Sequence, residues 1–398
     1  LVGVVLGGWS QLYAPWVWWC GSGLIGWVVR VGGGGVLRCL GVVLFFPWGG
    51  VGRQDVRMDS ARVVDRFGLD EGVREWLAAC EGLPEPGVGL RVPSLAEAGG
   101  VLDMFVLAED DRVEVEGLWP GSEGPGGVWP EELWHLVGCM YRRLWADADL
   151  PVGVWRPWPT LVGAEDARVR VAALWAFVAM VPEQLRRGAE RGVDRSVTVA
   201  SLADVGVQVA RSRWLFGRLS VETAAWVAAQ FRGRLFWVGG LQLEPAVLGD
   251  QGVVSWYSAE EAAGWGEGLA PGDPVLRLHI PSGGLDPASV DEALALAGPF
   301  AREQLGIDPV VATCTSWLLD PWWGEVLGEG SNIVRFQRRF TLVGGGSPGE
   351  GDVFRFVFGM PRVDVGAAPR RTRLERAAVE RLESGAGLRV CTGWLRLP

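Results

Sequence analysis

Between Pro274 and Phe358, short β-branched or aromatic runs alternate with amphipathic helical spacing, and this alternation restricts the fold more than any other feature of the chain. The stretch reads PVLRLHIP, SGGLDPASVDEALALAGPFAREQLG, DPVVATCTSWLLDPWWGEVLGEG, SNIVRFQRRFTLV and DVFRFVF. Period-two runs argue strand and 3.6-period runs argue helix. The predicted order is therefore strand, helix, strand, a shorter Trp-rich helix, strand, hairpin, strand. That order makes the domain α/β.

The mixed pattern reaches back to about Asp194. Ser196 to Ala200 (SVTVA) predicts a short strand. Ser201, with Asp204 three positions on, predicts a capping box opening a helix over Leu202 to Trp214, and Ser220 predicts the N-cap of a second helix from Val221 to Phe231. GRLFWVGGLQLEP then predicts a strand with Leu235, Trp237, Leu241 and Leu243 on one face and Gln242 and Glu244 on the other. VVSWYS is a further short strand candidate. We assign residues 192–398 to this domain.

Residues 58–191 are patterned mainly as helices and form a separate helical domain. Val73, Trp76, Leu77 and Cys80 recur at spacings of three and four, as do Leu133, Leu136, Val137, Met140, Tyr141 and Leu144. Ala108 to Gly117 is acidic, the Pro/Gly-rich GLWPGSEGPGGVWP after it is a loop, and Arg168 to Arg187 is a third helix that Pro182 should kink or break. His135 falls inside the second helix, where a structural role is the expectation.

Residues 1–57 differ, with Arg30 and Arg38 the only charges in the first 50. The charge-free run from Leu1 to Val29 exceeds the ~20 residues that cross a bilayer, yet Gly and Pro15 interrupt it and no basic region precedes it. Three readings stand: an extension outside the folded unit, a membrane segment, or a disordered tail.

Composition removes several classes of function. The net charge of −10 argues against a nucleic-acid binder, because neutralising phosphates needs a basic field. Lysine is absent, so Schiff-base and lysine-nucleophile chemistry are excluded. Six cysteines without CxxC spacing and two distant histidines, His135 and His279, argue against a disulfide framework and a His-rich metal centre. No metal is expected, and the compartment is expected to be reducing and cytoplasmic.

HIPSGGLDPASVDEALA, TCTSWLLDP, SNIVRFQRRFTL and the terminal GLRVCTGWLRLP resemble the GNAT-like C-terminal domain of bacterial acyltransferase-domain proteins, in which a helical N-terminal domain comes first. The resemblance runs from about Met58 onward and is strongest between Leu278 and Leu342. It implies a mixed-sheet fold and an acyl-CoA-dependent transferase. The turn SGGLDP departs from the Arg/Gln-x-x-Gly-x-Gly/Ala loop usual at the cofactor turn of GNAT enzymes.

Acyl transfer from a thioester to an amine needs a base for the ammonium proton and a donor for the developing oxyanion. Arg277 and His279 emerge together from the strand Pro274 to Ile280, and His279 stands at its carboxyl end, a good place for a base that titrates near neutrality. Glu244 is the competing base. Asp286 and Pro287 form a helix start, and the turn Ser282, Gly283, Gly284 before it can receive the coenzyme A pyrophosphate at the positive end of the helix dipole. A tight turn capped by Asp286 is the alternative there. Cys314 is set aside as a nucleophile because it sits in an apolar strand. Ser316 and Asp320 are capping residues, Arg335, Gln337 and Arg339 share one face of a strand over Ile333 to Leu342, and the charged run from Arg370 is a solvated helix face.

Two functions stay open on these residues. One is an N-acyltransferase moving an acyl group from acyl-CoA to an amine; the other is a non-catalytic GNAT-like acyl-CoA sensor or interaction module. A membrane-tethered protein is a third, and it depends wholly on residues 1–50.

Overall fold

The computed structural model describes residues 59–120, 128–150, 154–248, 272–282 and 285–398, together with three short strands among the first 57 positions. Those strands, β1 (Trp19–Cys20), β2 (Leu24–Val31) and β3 (Gly35–Leu40), form an antiparallel meander. Leu1–Arg57 and Met58–Pro398 are separate compact units. Most of the run considered as a membrane segment, and the VVSWYS strand, lie outside the described residues. Among the described residues no helix is long and apolar enough to cross a membrane.

The larger unit opens with helices α1 (Ser60–Phe67), α2 (Glu71–Glu81), α3 (Leu95–Phe105) and α4 (Glu109–Gly117). Asp70 caps α2 by accepting from the Val73 amide, and Ser94 with Glu97 forms a capping box on α3. The long α5 (Glu131–Asp147) and α7 (Ala172–Glu190), with the single turn α6 (Ala167–Arg170) between them, form the centre of the bundle. Leu133, Leu136, Val137, Met140 and Leu144 line the buried stripe of α5 that their spacing predicted. Each such side chain contributes roughly 1.5–3 kcal/mol on burial. α7 runs through Pro182 without ending, so of the expected kink or break the break does not occur. Its N-terminal half is buried on nearly every side, and that packing offsets the hydrogen bond that proline removes.

SVTVA is helical, within α8 (Arg195–Leu202), not a strand. Ser201 and Thr198 hydroxyls donate back to the carbonyls of Val197 and Asp194, and Thr198 packs on Gly188 of α7, so tertiary contact overrides β propensity. Ser201 consequently caps nothing; α9 (Asp204–Phe216) and α10 (Ala224–Phe231) follow. Ser220 is not an N-cap either, since its hydroxyl donates to the Arg170 carbonyl. The core of this helical half runs from Val63 to Phe231.

The expected single strand GRLFWVGGLQLEP is two, β4 (Phe236–Val238) and β5 (Leu241–Val247), joined by Gly239 and Gly240. Gly239 sits at φ +57, a backbone state open to glycine. The turn reverses faces, so Phe236 opposes Leu243 and Trp237 opposes Gln242. Beyond them come β6 (Pro274–His279), α11 (Pro287–Phe300) and β7 (Val311–Ser316). Just past Pro299, α11 widens into a π turn over Ala301–Leu305.

Two predicted strands are helices. Asn332–Gln337 forms α13, after α12 (Trp322–Leu327), because Val334 and Phe336 enter the core and Gln337 donates to the Leu318 and Asp320 carbonyls. Arg335, Gln337 and Arg339 therefore share no strand face; Arg339 pairs with Asp291 at 2.6 Å. β8 (Thr341–Pro348) starts later, and DVFRFVF becomes α14 (Glu350–Val353) plus a π turn that buries Phe354 and Phe358. α15 (Arg373–Glu383) and β9 (Arg389–Arg396) complete the domain.

The sheet is mixed, in the order β4-β5-β6-β7-β9-β8, and only β6 and β7 run parallel. One face, with Leu241, Leu243, Leu276, Leu278, Ala312 and Cys314, is the apolar one, and α11 packs on it. Gln242, Glu244, Arg277 and His279 alternate with these residues and so present the opposite face.

Candidate active site

The parallel ladder between β6 and β7 is short. It pairs Leu276 with Ala312 and Arg277 with Thr313, and no pairing follows. Yet β6 still pairs with β5 at His279, and β7 with β9 at Ser316. The two central strands thus part at their carboxyl ends while each stays fixed to its outer neighbour. A cleft at that position is where open α/β sheets take ligands.

His279 ends β6 where the two strands have stopped pairing, and Glu244 lies beside it. Register brings them together: Glu244 opposes Arg277, and His279 lies one diagonal step away on the same face. His279 Nε2 is 2.9 Å from Glu244 Oε2, whereas the Arg277 guanidinium is 3.9 Å from Oε1. Glu244 is 6% exposed, so it is not the surface carboxylate that a strand end suggests, and the imidazole is partly open. With Nε2 carrying its proton toward Glu244, Nδ1 is the basic nitrogen. The two residues that compete for one role in the sequence are hydrogen-bond partners in the fold.

Helices α9 and α10 cover this face. Trp226 meets the imidazole edge-on at 4.8 Å between ring centroids and stacks on Trp155 at 5.8 Å. Its indole N–H donates to Asp204 Oδ2, 3.0 Å away. Asp204 is fully buried and also accepts from Gln208, Gln230 and Gln242. Burial raises its carboxyl above the ordinary range, and the hydrogen bonds from the three glutamines oppose that shift. This network joins helical half to sheet, since Gln242 lies directly across from His279. Nothing in the sequence marks Asp204, Trp226 or Gln230 as neighbours of the dyad.

Ser282 accepts from Arg211 Nη2 at 2.9 Å. Arg211 otherwise donates to Gln208 and lies over the Phe356 ring; among the described residues it makes no carboxylate ion pair. Gly283 and Gly284 lie outside the described residues. Asp286 caps α11 by accepting from the Ser289 amide, and that bond lowers its carboxyl below the ordinary range. Cys314 is fully enclosed, and burial pushes its thiol up to about 12, which removes it as a nucleophile. Ser316 and Asp320 cap the turns after β7, as their sequence positions predict.

Residues 96–233 match the N-acyltransferase N-terminal domain, and residues 235–395 match the GNAT-like C-terminal domain. The chain is therefore an acyltransferase of the kind in which a helical N-acyltransferase domain precedes a GNAT-like one. Among solved structures it is similar to an acyltransferase in complex with decanoyl-CoA and teicoplanin, and to an acyltransferase mutant in complex with octanoyl-CoA. Each is 28% identical, with 86% of this chain and 100% of that chain covered and a TM-score of 0.71. No curated protein sequence matches.

Proposed function

We propose that this protein transfers an acyl group from acyl-CoA to an amine, with His279 as base and Glu244 holding it. The observation that carries the reading is the parting of β6 and β7 beyond Arg277 and Thr313, with the His279–Glu244 pair on its rim. Strands that part leave backbone amides and carbonyls facing a gap, and an amide-bearing pantetheine arm can satisfy them. The thioester then lies beside the imidazole.

His279 takes the proton of the incoming ammonium, the free amine attacks the thioester carbonyl, and as the carbon–sulfur bond breaks the proton that the nitrogen loses on becoming an amide passes to the sulfur, which leaves as coenzyme A thiol. Glu244, buried at 2.9 Å, fixes the ring and balances the imidazolium formed. The turn Ser282, Gly283, Gly284 is assigned to the pyrophosphate. Arg211 on Ser282 brings a positive charge to that turn, although Asp286 competes for the amides of α11.

Similar structures hold octanoyl- and decanoyl-CoA, and the Trp155–Trp226 stack offers an apolar wall beside His279, so medium-length acyl chains are the donors to try first. Teicoplanin, bound by one similar structure, is the first acceptor to try. Calorimetry with coenzyme A, octanoyl-CoA and decanoyl-CoA should show binding, and thiol release should require an amine. A protein that binds none of these ligands would remove the donor assignment; one that binds them without turnover would be the sensor instead.

A further inference from the structure

We propose that Glu81, His135 and Cys139 form a zinc site that pins the end of α2 to the middle of α5. His135 and Cys139 are four residues apart on α5 and share a face, and Glu81 is the last residue of α2. Their three ligand atoms all lie within 4.8 Å of one another. His135 Nε2 is 2.9 Å from Glu81 Oε1 and 3.6 Å from Cys139 Sγ. Zinc bound tetrahedrally to oxygen, nitrogen and sulfur sets such atoms on the order of 3.3–3.6 Å apart. The sulfur–imidazole spacing already fits, and the flexible Glu81 side chain has to swing from the imidazole, now 2.9 Å away, toward the sulfur, which lies within 4.8 Å.

The donor set selects the ion. Thiolate with imidazole suits zinc, whereas calcium and magnesium take oxygen ligands. Burial pushes the free Cys139 thiol up, so the metal must displace its proton on binding; the resulting thiolate and the Glu81 carboxylate together neutralise a divalent charge, and the carboxyl end of α2 favours a cation by its dipole. Arg142, the neighbouring guanidinium, is already engaged by the Cys80 carbonyl and by Glu85. Cys139 is buried, His135 partly exposed and Glu81 more so, which gives an entry path from the Glu81 side and leaves a fourth position to water.

The test uses the full chain stripped of metal and titrated with Zn²⁺ against a chromophoric chelator, followed by Co²⁺ in place of zinc. One equivalent of zinc should bind and raise Tm, and cobalt should show a thiolate charge-transfer band. Glu81→Gln and His135→Gln, both at the rim, should each weaken zinc binding by at least about tenfold. Cys139→Ser should abolish the cobalt band while the control Cys80→Ser keeps it. If Cys139→Ser fails to fold, the two rim variants decide. Absence of stoichiometric zinc binding, or unchanged affinity in both rim variants, overturns the site.

Discussion

On the proposed mechanism His279 is the base and Glu244, 2.9 Å from its Nε2, orients it, so the two substitutions should act differently. His279→Ala is expected to lower kcat by about 10²–10⁴ with little change in the affinity for acyl-CoA measured by calorimetry. Glu244→Gln should give a smaller fall, because an amide can still accept from Nε2 and hold the ring. Behind the dyad, Asp204 makes a different prediction. Burial raises its carboxyl above its unfolded value, so its contribution to stability is full below the ordinary carboxylate range, near ~3.9, and is lost as pH rises through the raised value. Urea unfolding across that window should show wild type losing stability relative to Asp204→Asn as pH increases. A pH-independent difference between the two would mean that the carboxyl is not desolvated.

Gly206, in the first turns of α9, fixes how closely that helix approaches α3. A Cβ there would lie 2.3 Å from the Phe105 carbonyl oxygen, and the obstacle is backbone. Gly206→Ala is expected to destabilise by at least roughly 1–3 kcal/mol, read as a fall in the urea midpoint. Thr372→Ala should cost about 1 kcal/mol, since it removes one half of the capping box that Thr372 and Glu375 make on α15. Elements with one clean apolar stripe, such as α2 and α5, are legible from spacing alone. SVTVA, SNIVRFQ and DVFRFVF are not, because their β-branched and aromatic residues also fit a helix whose buried face is decided by Thr198 on Gly188, Phe336 in the core, or Phe354 against Phe358.

In the whole molecule, the site belongs to neither half. The sheet supplies Glu244 and His279; the bundle supplies Trp226, Asp204 and Arg211; Arg355 also pairs across with Glu222. Since Met58–Pro398 is compact by itself, a chain beginning at Met58 is expected to keep both its melting temperature and its thiol-release rate. Loss of either would show that residues 1–57 contribute to the fold or the site.

Local periodicity in the sequence determined that helices precede a mixed α/β domain, and it set His279 and Glu244, with Arg277 and Gln242, on the polar face of alternating strands. Side-chain spacing within one element encodes which face is buried, so that much needs no partner. Tertiary structure decided the parting of β6 from β7, the diagonal register that makes His279 and Glu244 a pair, and the Trp226–Asp204 cover. Those depend on contacts between residues tens of positions apart, whose geometry is set by packing and loop closure and leaves no period to read.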